Sequence, residues 1–310
     1  MDRNSVEWKG YLPAVTTPFT ADGELDRAAW QELLEWMVSE GMHGVAVAGT
    51  TGEWFSLSPE ERKELFLLAA GQIRRRIPIL GGCNAYTPRE AIEYAQAAKE
   101  VGLDGILLTP PPYVVPSNRE IVHFYRTVSE AVAIPICVYN WPRGTNVDMD
   151  TKTLEQLTEL DTVVAIKNST GEIGRFLDGF FALKDRVRYF GIPMSELGIT
   201  LVERHGGDGT IGAGAVLGAD HPNFFNHVWA GDLEKARRSG TRDRKLFEDW
   251  INPDYSMKFG SPQAVFKTAL NLRNLPGGYP RPPILPLIDE EVDKVRQTLS
   301  ELALVSPVVS

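Results

Sequence analysis

The chain has 310 residues, of which 43% are hydrophobic and 24% charged, so it can bury one large core and lacks the composition of a disordered or fibrous protein. A formal net charge of −9 disfavours general binding to nucleic acid or to an anionic membrane, because both require a cationic surface. Two cysteines without CxxC spacing, Cys83 and Cys137, indicate neither a disulfide framework nor a zinc site and favour a reducing, cytoplasmic location.

Eight short apolar runs alternate with helical patterns along the chain. We predict strands near 12–16, 45–48, 77–80, 106–109, 135–139, 163–167, 187–190 and 209–211. The runs lack polar alternation, as buried parallel strands do. Capping boxes at Ser58–Glu61, Thr87–Glu90 and Ser117–Glu120 predict where three of the intervening helices begin. Eight such units predict an α/β fold, a (β/α)8 TIM barrel, with an open doubly wound sheet as the alternative.

After about Asp232 the strand signals stop and the segments look helical. We therefore predict two regions, with residues 1–231 as the barrel that carries the active site and residues 232–310 as a C-terminal helical appendage. A proline-rich segment, 275–283, interrupts the appendage. It is an ordered extended connector if it packs on the barrel and a flexible linker otherwise. The sequence contains no apolar leader and no apolar run long enough to predict a membrane span.

Polar residues that end strands are the candidate catalytic groups, because active sites of such barrels lie at the carboxyl ends of the strands. Lys167 ends the sixth predicted strand, where burial favours a neutral, nucleophilic amine that can form an imine. The alternative is a lysine that extends to solvent. Tyr139 ends the neighbouring fifth strand and could relay protons, or it is a rim aromatic with a satisfied hydroxyl.

Further candidates follow the other strands. The turn 49–53, Gly-Thr-Thr-Gly-Glu, offers hydroxyls and exposed amides suited to a carboxylate, and its alternative role is a loop in which a threonine caps the next helix. Tyr113 follows the fourth strand. The glycine-rich segment 212–218 is not interpreted as a dinucleotide fingerprint, although phosphate binding after the eighth strand stays open. The five histidines have no metal-ligand spacing, so no metal is predicted.

In combination these motifs resemble the 4-hydroxy-tetrahydrodipicolinate synthase and N-acetylneuraminate lyase family, from about Gly10 to the final helices. Residues 49–53 look like the family's carboxylate-binding turn, 139–142 like its tyrosine motif and 166–171 like its Schiff-base lysine motif. The order and the spacing of the three also agree. The resemblance implies a pyruvate-dependent class I aldolase that uses no cofactor apart from the covalent imine on Lys167.

By that resemblance, Lys167 forms the imine with pyruvate or another 2-oxo acid, and Tyr139 moves the protons. Thr51 and the neighbouring amides, including that of Gly49, hold the carboxylate. Thr50 links Tyr139 to Tyr113.

In family members the tyrosine that matches Tyr113 reaches the neighbouring subunit's site, which implies a tight dimer and, as is usual for the family, a dimer of dimers. Gly191 and Ile211 match positions whose backbone lies close to the substrate. The alternative for both residues is packing at the barrel rim.

The sequence departs from the synthases after the tyrosine motif. There the synthases usually have Ser-Arg-Thr-Gly, whereas Arg143 stands one position earlier, which redirects a bidentate grip on a carboxylate. The segment 192–194, Ile-Pro-Met, replaces a polar pair of similar lyases, and Trp54 and Trp141 add bulk. An aromatic or hydrophobic aldehyde, or a small deoxy sugar acid, therefore suits the pocket better than sialic acid.

These features predict a lyase that breaks a carbon–carbon or carbon–oxygen bond in a 2-oxo acid, with an aldehyde as the other partner. Three alternatives stay open: 4-hydroxy-tetrahydrodipicolinate synthase proper, a 2-oxo-3-deoxy sugar acid dehydratase, and a catalytically silent relative that binds a 2-oxo acid. The retained Lys167, Tyr139, Thr50 and Tyr113 argue against the silent relative.

Overall fold

A computed structural model provides the structure, which describes residues 1–306. Eight parallel strands form one closed barrel in chain order, so the predicted TIM barrel is confirmed and the open doubly wound sheet is wrong. The strands are β1 Gly10–Ala14, β2 Val45–Val47, β3 Ile79–Gly82, β4 Gly105–Leu108, β5 Ile136–Asn140, β6 Val163–Asn168, β7 Arg188–Phe190 and β8 Gly209–Ala213.

Helices separate the strands and cover the outside of the barrel. Within the described residues they are α1 Arg27–Ser39, α2 Pro59–Ile73, α3 Pro88–Glu100, α4 Asn118–Ala131, α5 Pro142–Thr145, α6 Thr151–Thr158, α7 Ile173–Leu183, α8 Glu196–His205, α9 Asp220–Trp229, α10 Leu233–Trp250, α11 Pro262–Leu272 and α12 Asp289–Glu301. Short 3-10 helices occupy Arg3–Ser5 and Trp54–Ser56.

The predicted capping boxes open α2, α3 and α4. In each, the glutamate carboxylate accepts a hydrogen bond from the backbone N–H of the capping residue, at 2.8 to 3.1 Å. These contacts satisfy amides that the first helical turn leaves without partners. They therefore fix where three of the barrel loops end and the following helices begin.

The strands alternate between two apolar layers. The inward side chains fill the barrel, and they are Leu12, Ala46, Leu80, Leu107, Cys137, Tyr139, Ala165, Phe190 and Ile211. Trp8, 1% exposed, joins this layer, and a side chain at Gly105 would collide with its ring. The barrel interior is thus a packed core, and the candidate catalytic groups are expected at the carboxyl ends of the strands.

The segments after α9 are helical, as predicted. Helix α10 packs against α9, and Trp250 Nε1 donates to Thr298 Oγ1 at 3.0 Å, which joins α10 to α12. Residues 307–310 of the predicted appendage lie outside the described residues, and the division at residue 231 stays a prediction.

The proline-rich segment is an ordered connector. Tyr279 pairs with Phe19 in an isolated antiparallel bridge. The Arg281 side chain donates to the backbone oxygens of Gly23 and Ser56, both at 2.8 Å, and pairs with Glu61. The flexible-linker alternative is therefore wrong, because this segment is tied to the barrel loops.

Residues 1–306 contain neither a membrane-spanning helix nor a metal-binding cluster. No helix there is both long and apolar enough to cross a membrane. No group of three or more His, Cys, Asp or Glu side chains in that range is arranged to hold a metal ion.

Candidate active site

Lys167 lies inside the barrel mouth, near the end of β6. Ala165 faces the interior and Ile166 the helices, so the strand's alternation turns Lys167 inward. Its Cα is registered with that of Tyr139 on β5, and its Nζ lies 3.9 Å from the centroid of the Tyr139 ring. The lysine is 7% exposed and the tyrosine 4% exposed, so the two groups share one secluded space.

Burial lowers the pKa of Lys167 to about 8, because the charged form loses its hydration there. Cys137, one layer deeper in the barrel, has its pKa raised by burial to about 12 and therefore stays a thiol at neutral pH. Among residues 1–306, no carboxylate forms an ion pair with Lys167. At neutral pH a larger fraction of its amine is therefore neutral and nucleophilic than for a lysine with the ordinary pKa of 10.5.

Burial raises the pKa of Tyr139, the nearby Ser169 side chain lowers it, and Tyr255 raises it further. The phenol is accordingly protonated at neutral pH. A protonated phenol facing a neutral amine can donate a proton to an oxygen held between them and later recover it.

Hydrogen bonds between asparagine side chains join the ends of β5 and β6. The two residues are Asn140 and Asn168, which directly follow Tyr139 and Lys167. Asn140 Nδ2 donates to Asn168 Oδ1 at 2.9 Å and to Asp148 Oδ1 at 2.8 Å. Asn168 Nδ2 in turn donates to the hydroxyl of Tyr189 at 2.8 Å. Both asparagines lie within the motifs recognised in the sequence, but no role was predicted for them, although their place immediately after the two candidate catalytic groups was the available signal.

The turn after β2 is tightly constrained. Ala48 and Glu53 adopt left-handed backbone conformations, with φ of 51° and 57°. A side chain at Gly52 would lie 2.9 Å from the Val15 carbonyl oxygen, so only glycine fits without displacement. Thr17 Oγ1 donates to the Gly52 oxygen at 2.8 Å, and Thr51 is 8% exposed. Strain of this kind is characteristic of binding loops.

The appendage holds this turn from outside. Glu53 and Lys267 of α11 form an ion pair that is 0% and 1% exposed. Gln263 Nε2 donates to the Thr50 carbonyl oxygen at 3.0 Å, and the Arg281 backbone N–H donates to Glu53 Oε2 at 3.0 Å. No role for Lys267 or Gln263 was predicted from the sequence.

Tyr113 lies apart from the other candidates within one chain. Its side chain is 88% exposed and its φ is 77°. Thr50 is half-buried. In the part of the chain that the structure describes, no hydrogen bond joins the hydroxyls of Thr50, Tyr113 and Tyr139, so a single chain does not form the predicted proton link.

The remaining predicted site residues border the same end of the barrel. Arg143, on α5, pairs with Asp254 at 3.4 Å, and both side chains are well exposed. A side chain at Gly191 would collide with the Asn168 carbonyl oxygen, and its φ of 121° also favours glycine. Ile211 packs in the barrel interior with Tyr139. Both residues thus pack beside the lysine, and their part in substrate binding stays a prediction.

The apolar residues proposed for the pocket do not all border it. Ile192 and Met194 are buried in the layer between barrel and helices. Trp54 packs against Tyr86 and Arg62. Trp141 alone of this group stacks on Tyr139, with ring centroids 5.9 Å apart. The sequence could not show which way these side chains point, because the residues lie outside the strands, where inward and outward positions do not alternate.

The chain resembles known proteins over nearly its whole length. The sequence model of the dihydrodipicolinate synthetase family matches residues 7–302. The chain belongs to this family. Members of the family are lyases, so the predicted class, a Schiff-base lyase of the class I aldolase type, is confirmed.

Individual relatives within the family cover the chain equally well. An uncharacterized DapA-like lyase of Rhizobium meliloti is 30% identical over 302 residues, which are 97% of this chain and 98% of that protein. A 4-hydroxy-tetrahydrodipicolinate synthase of Nitrosospira multiformis is 34% identical over 306 residues, covering 97% and 98%.

Solved structures of family members agree with the fold. The dihydrodipicolinate synthase of Aquifex aeolicus superposes with a TM-score of 0.85 at 27% identity, covering 97% of this chain and 100% of that one. The chloride-inhibited synthase of Acinetobacter baumannii, solved with pyruvate, gives a TM-score of 0.84 at 28% identity, with coverage of 96% and 99%.

Proposed function

We propose that the protein forms an imine between Lys167 and pyruvate, or a closely related 2-oxo acid, and uses Tyr139 as the proton carrier. The observation that carries the proposal is the buried amine 3.9 Å from the centroid of the tyrosine ring, at the carboxyl end of the barrel. The lowered pKa of Lys167 supports it, since a neutral amine attacks a carbonyl. The crystallised relative from Acinetobacter baumannii was solved with pyruvate.

In the proposed reaction the Lys167 nitrogen bonds to C2 of pyruvate. The former carbonyl oxygen leaves as water, with one proton from the nitrogen and one from Tyr139. The Tyr139 phenolate then removes a proton from C3, which gives an enamine. Enamine C3 bonds to an aldehyde carbon, and the aldehyde oxygen takes the proton from Tyr139. Water then hydrolyses the imine, which restores the amine and returns a proton to the Tyr139 phenolate.

The turn 49–53 is the proposed carboxylate site. The amides next to Gly49 and the Thr51 hydroxyl are suited to a carboxylate group. The turn is rigid, because its left-handed residues and the buried pair of Glu53 with Lys267 fix it from both sides. A fixed carboxylate would hold C2 against the Lys167 amine, which is the main contribution of orientation to such a step.

The second half of the reaction has two candidate forms. An aldolase makes or breaks the C3–C4 bond, whereas a sugar acid dehydratase expels the C4 hydroxyl as water from the same enamine. The displaced Arg143 and its pairing with Asp254 argue against the synthase proper, because the arginine is already partnered. A catalytically silent relative would have no need to keep an unpaired buried amine beside a phenol.

We also propose a homodimer built on the loop after β4, which pairs further into a tetramer. Tyr113, Val114 and Val115 expose 88%, 66% and 52% of their side chains, and Tyr86 exposes 57%. Val115 has φ of 47°, a conformation that β-branched residues rarely adopt. An exposed, strained apolar loop of this kind fits a partner subunit. The two buried free thiols support a cytosolic location.

The test is mass spectrometry after incubation with pyruvate and borohydride, which reduces an imine to a stable amine. We expect one pyruvyl adduct, located on Lys167. Lys267 is the internal control, because burial also lowers its pKa to about 8 while its ion pair with Glu53 closes it off. Adducts spread over both lysines, or none with any 2-oxo acid, would refute the proposal.

A further inference from the structure

The loop between α10 and α11 reaches the barrel mouth. Ile251 and Met257 close its base in an antiparallel bridge, and the Asn252 N–H donates to the Ser256 oxygen at 2.7 Å. Asp254 Oδ1 accepts from the Ser256 N–H at 2.9 Å and from the Ser256 hydroxyl at 2.6 Å. The loop is therefore an ordered structure. We call residues 251–258 the appendage loop.

The appendage loop lies over the loops that follow β5 and β6. A side chain built on Gly171, in the lysine motif, would lie 3.8 Å from the Pro253 carbonyl oxygen and 4.0 Å from the Asp254 Cα. The Arg143 guanidinium lies 3.4 Å from the Asp254 carboxylate. Both contacts are at the end of the barrel that holds Tyr139 and Lys167.

An aromatic series runs from the catalytic tyrosine to this loop. The Tyr139 and Trp141 rings stack at 5.9 Å with an interplanar angle of 25°. The Trp141 and Tyr255 rings meet edge to face, with centroids 6.1 Å apart and an angle of 63°. Tyr255 has φ of 61°, a left-handed conformation in which L residues are strained, and its side chain is 36% exposed. Tyr255 also meets the Phe247 ring edge to face, with centroids 6.5 Å apart, and still keeps part of its surface open to solvent.

The charges beside this series are already balanced. Arg143 is the cation that could bind a second carboxylate of a substrate, but it pairs with Asp254. The pKa of Asp254 is lowered, mainly by the hydrogen bonds from Ser256 and less by Arg143, so the carboxylate is ionised at neutral pH. An incoming carboxylate would have to displace Asp254 and would remain close to its negative charge.

We propose that Trp141, Tyr255 and Asp254 form the subsite for the aldehyde half of the substrate and select an uncharged aromatic aldehyde over one that carries a carboxylate. The inference rests on the proposed function, because it concerns the partner of the Lys167 enamine. Flat rings supply stacking surface for another flat ring. Asp254 occupies the Arg143 guanidinium, so an acidic competitor must break that ion pair to gain a cation. A penalty of this kind against a competitor is how a site gains specificity beyond attraction.

The test compares benzaldehyde with 4-carboxybenzaldehyde, which differ only in the carboxylate, as partners of pyruvate. Rates of 4-hydroxy-2-oxo acid formation are expressed per Lys167 that borohydride traps with pyruvate, so misfolded protein does not count. We expect kcat/KM to favour benzaldehyde. Asp254→Asn should raise kcat/KM for 4-carboxybenzaldehyde about threefold to fivefold, the size of an exposed ion-pair effect, with a smaller change for benzaldehyde.

Tyr255→Ala should lower kcat/KM for benzaldehyde about threefold to tenfold, and Tyr255→Phe should restore most of the loss, because the ring is what stacks. Phe181→Ala is the matched control, since it removes a 48% exposed ring near the C-terminal end of α7, where the ring contacts His205, and should change neither rate.

Trapping at Lys167 together with a preference for 4-carboxybenzaldehyde, no turnover of benzaldehyde, or no effect of Tyr255→Ala would overturn this inference and leave the imine chemistry intact. Absence of trapping would instead overturn the proposed function.

Discussion

The Lys267 ammonium pairs with the Glu53 carboxylate where neither side chain reaches solvent, and this pair connects α11 to the turn after β2. Lys267 Nζ also donates to the Tyr279 carbonyl oxygen at 2.8 Å. Glu53 and Lys267 are 214 residues apart in the sequence. The appendage therefore supports the candidate site, because one of its helices holds the candidate carboxylate turn in place.

Removing one member of this pair should destabilise the protein strongly. Lys267→Met leaves the Glu53 carboxylate buried without its cation, for which we expect a loss of about 3 to 5 kcal/mol in the free energy of unfolding. Denaturant titration measures it. Arg27→Met, which breaks the solvent-exposed pair with Glu64, is the matched control and should have a far smaller effect. Equal losses in both variants would contradict the structural role given to Lys267.

The double variant Glu53→Gln with Lys267→Met separates stability from positioning. It removes both charges, so much of the stability should return, since the cost of a broken pair lies in the unpaired charge. The turn would still lack its anchor, and KM for pyruvate should rise more than kcat falls. Recovery of stability with an unchanged KM would show that the pair does not position the turn.

Much of the architecture was predictable because it is encoded locally. Each strand run lies between a helix end and a helix start, and the capping boxes at Ser58, Thr87 and Ser117 mark those starts directly. The third strand was predicted at 77–80, two residues before its observed position, Ile79–Gly82. The error arose because glycines, which end this strand, are uncommon in strands. A side chain at Gly82 would collide with the Ala48 carbonyl oxygen, which explains the glycine there.

The site was predictable only in part. Lys167 and Tyr139 follow apolar runs, and the sequence shows that directly. Lys267 and Tyr255 come from the appendage, and nothing local in the sequence indicates that a helix after residue 260 returns to the loop after β2. The orientation of Ile192 depends on tertiary packing, so its presumed place in the pocket could not be checked before the fold was known.

The reactivity of Lys167 should follow its lowered pKa. Its ammonium loses a proton near pH 8 rather than at the ordinary value of 10.5, so the neutral amine accumulates as pH rises through about 8. The initial rate of trapping pyruvate with cyanoborohydride should therefore rise with pH through a midpoint near 8 and then level off. A midpoint near 10.5 would mean that the amine is solvated and not held in the environment described.

Tyr139→Phe should slow every step of the proposed reaction that needs a proton from the phenol, including loss of water during imine formation. The substitution keeps the ring against which Lys167 lies and removes only the hydroxyl, so the variant should fold and retain the contact. Loss of a positioned proton carrier is expected to lower kcat about 10² to 10⁴-fold. Steady-state assays with pyruvate and an aldehyde measure it. A variant that keeps more than a tenth of the activity, as an order-of-magnitude threshold, would assign the proton transfers to another group.

Gly191→Ala tests the packing between β6 and β7. The added methyl would collide with the Asn168 carbonyl oxygen, next to Lys167, and the residue's φ of 121° is also unfavourable for alanine. We expect Gly191→Ala to lose more unfolding free energy than the control Gly206→Ala and to trap pyruvate more slowly than the unchanged protein. Gly206→Ala is the control, because its φ of 69° carries backbone strain of about 1 kcal/mol with no atom in the way. Similar losses and unchanged trapping in both variants would exclude a steric role.

The loop after β4 gives the prediction for assembly. Val114→Asp places a charge in the exposed apolar patch, so the proposed dimer should dissociate and kcat should fall, since Tyr113 could no longer reach a neighbouring site. Sedimentation velocity and activity are measured on the same sample. Leu285→Asp, at a side chain that is 73% exposed outside this patch, should change neither. A Val114→Asp variant that is monomeric but active would show that the active site does not need Tyr113 from another chain.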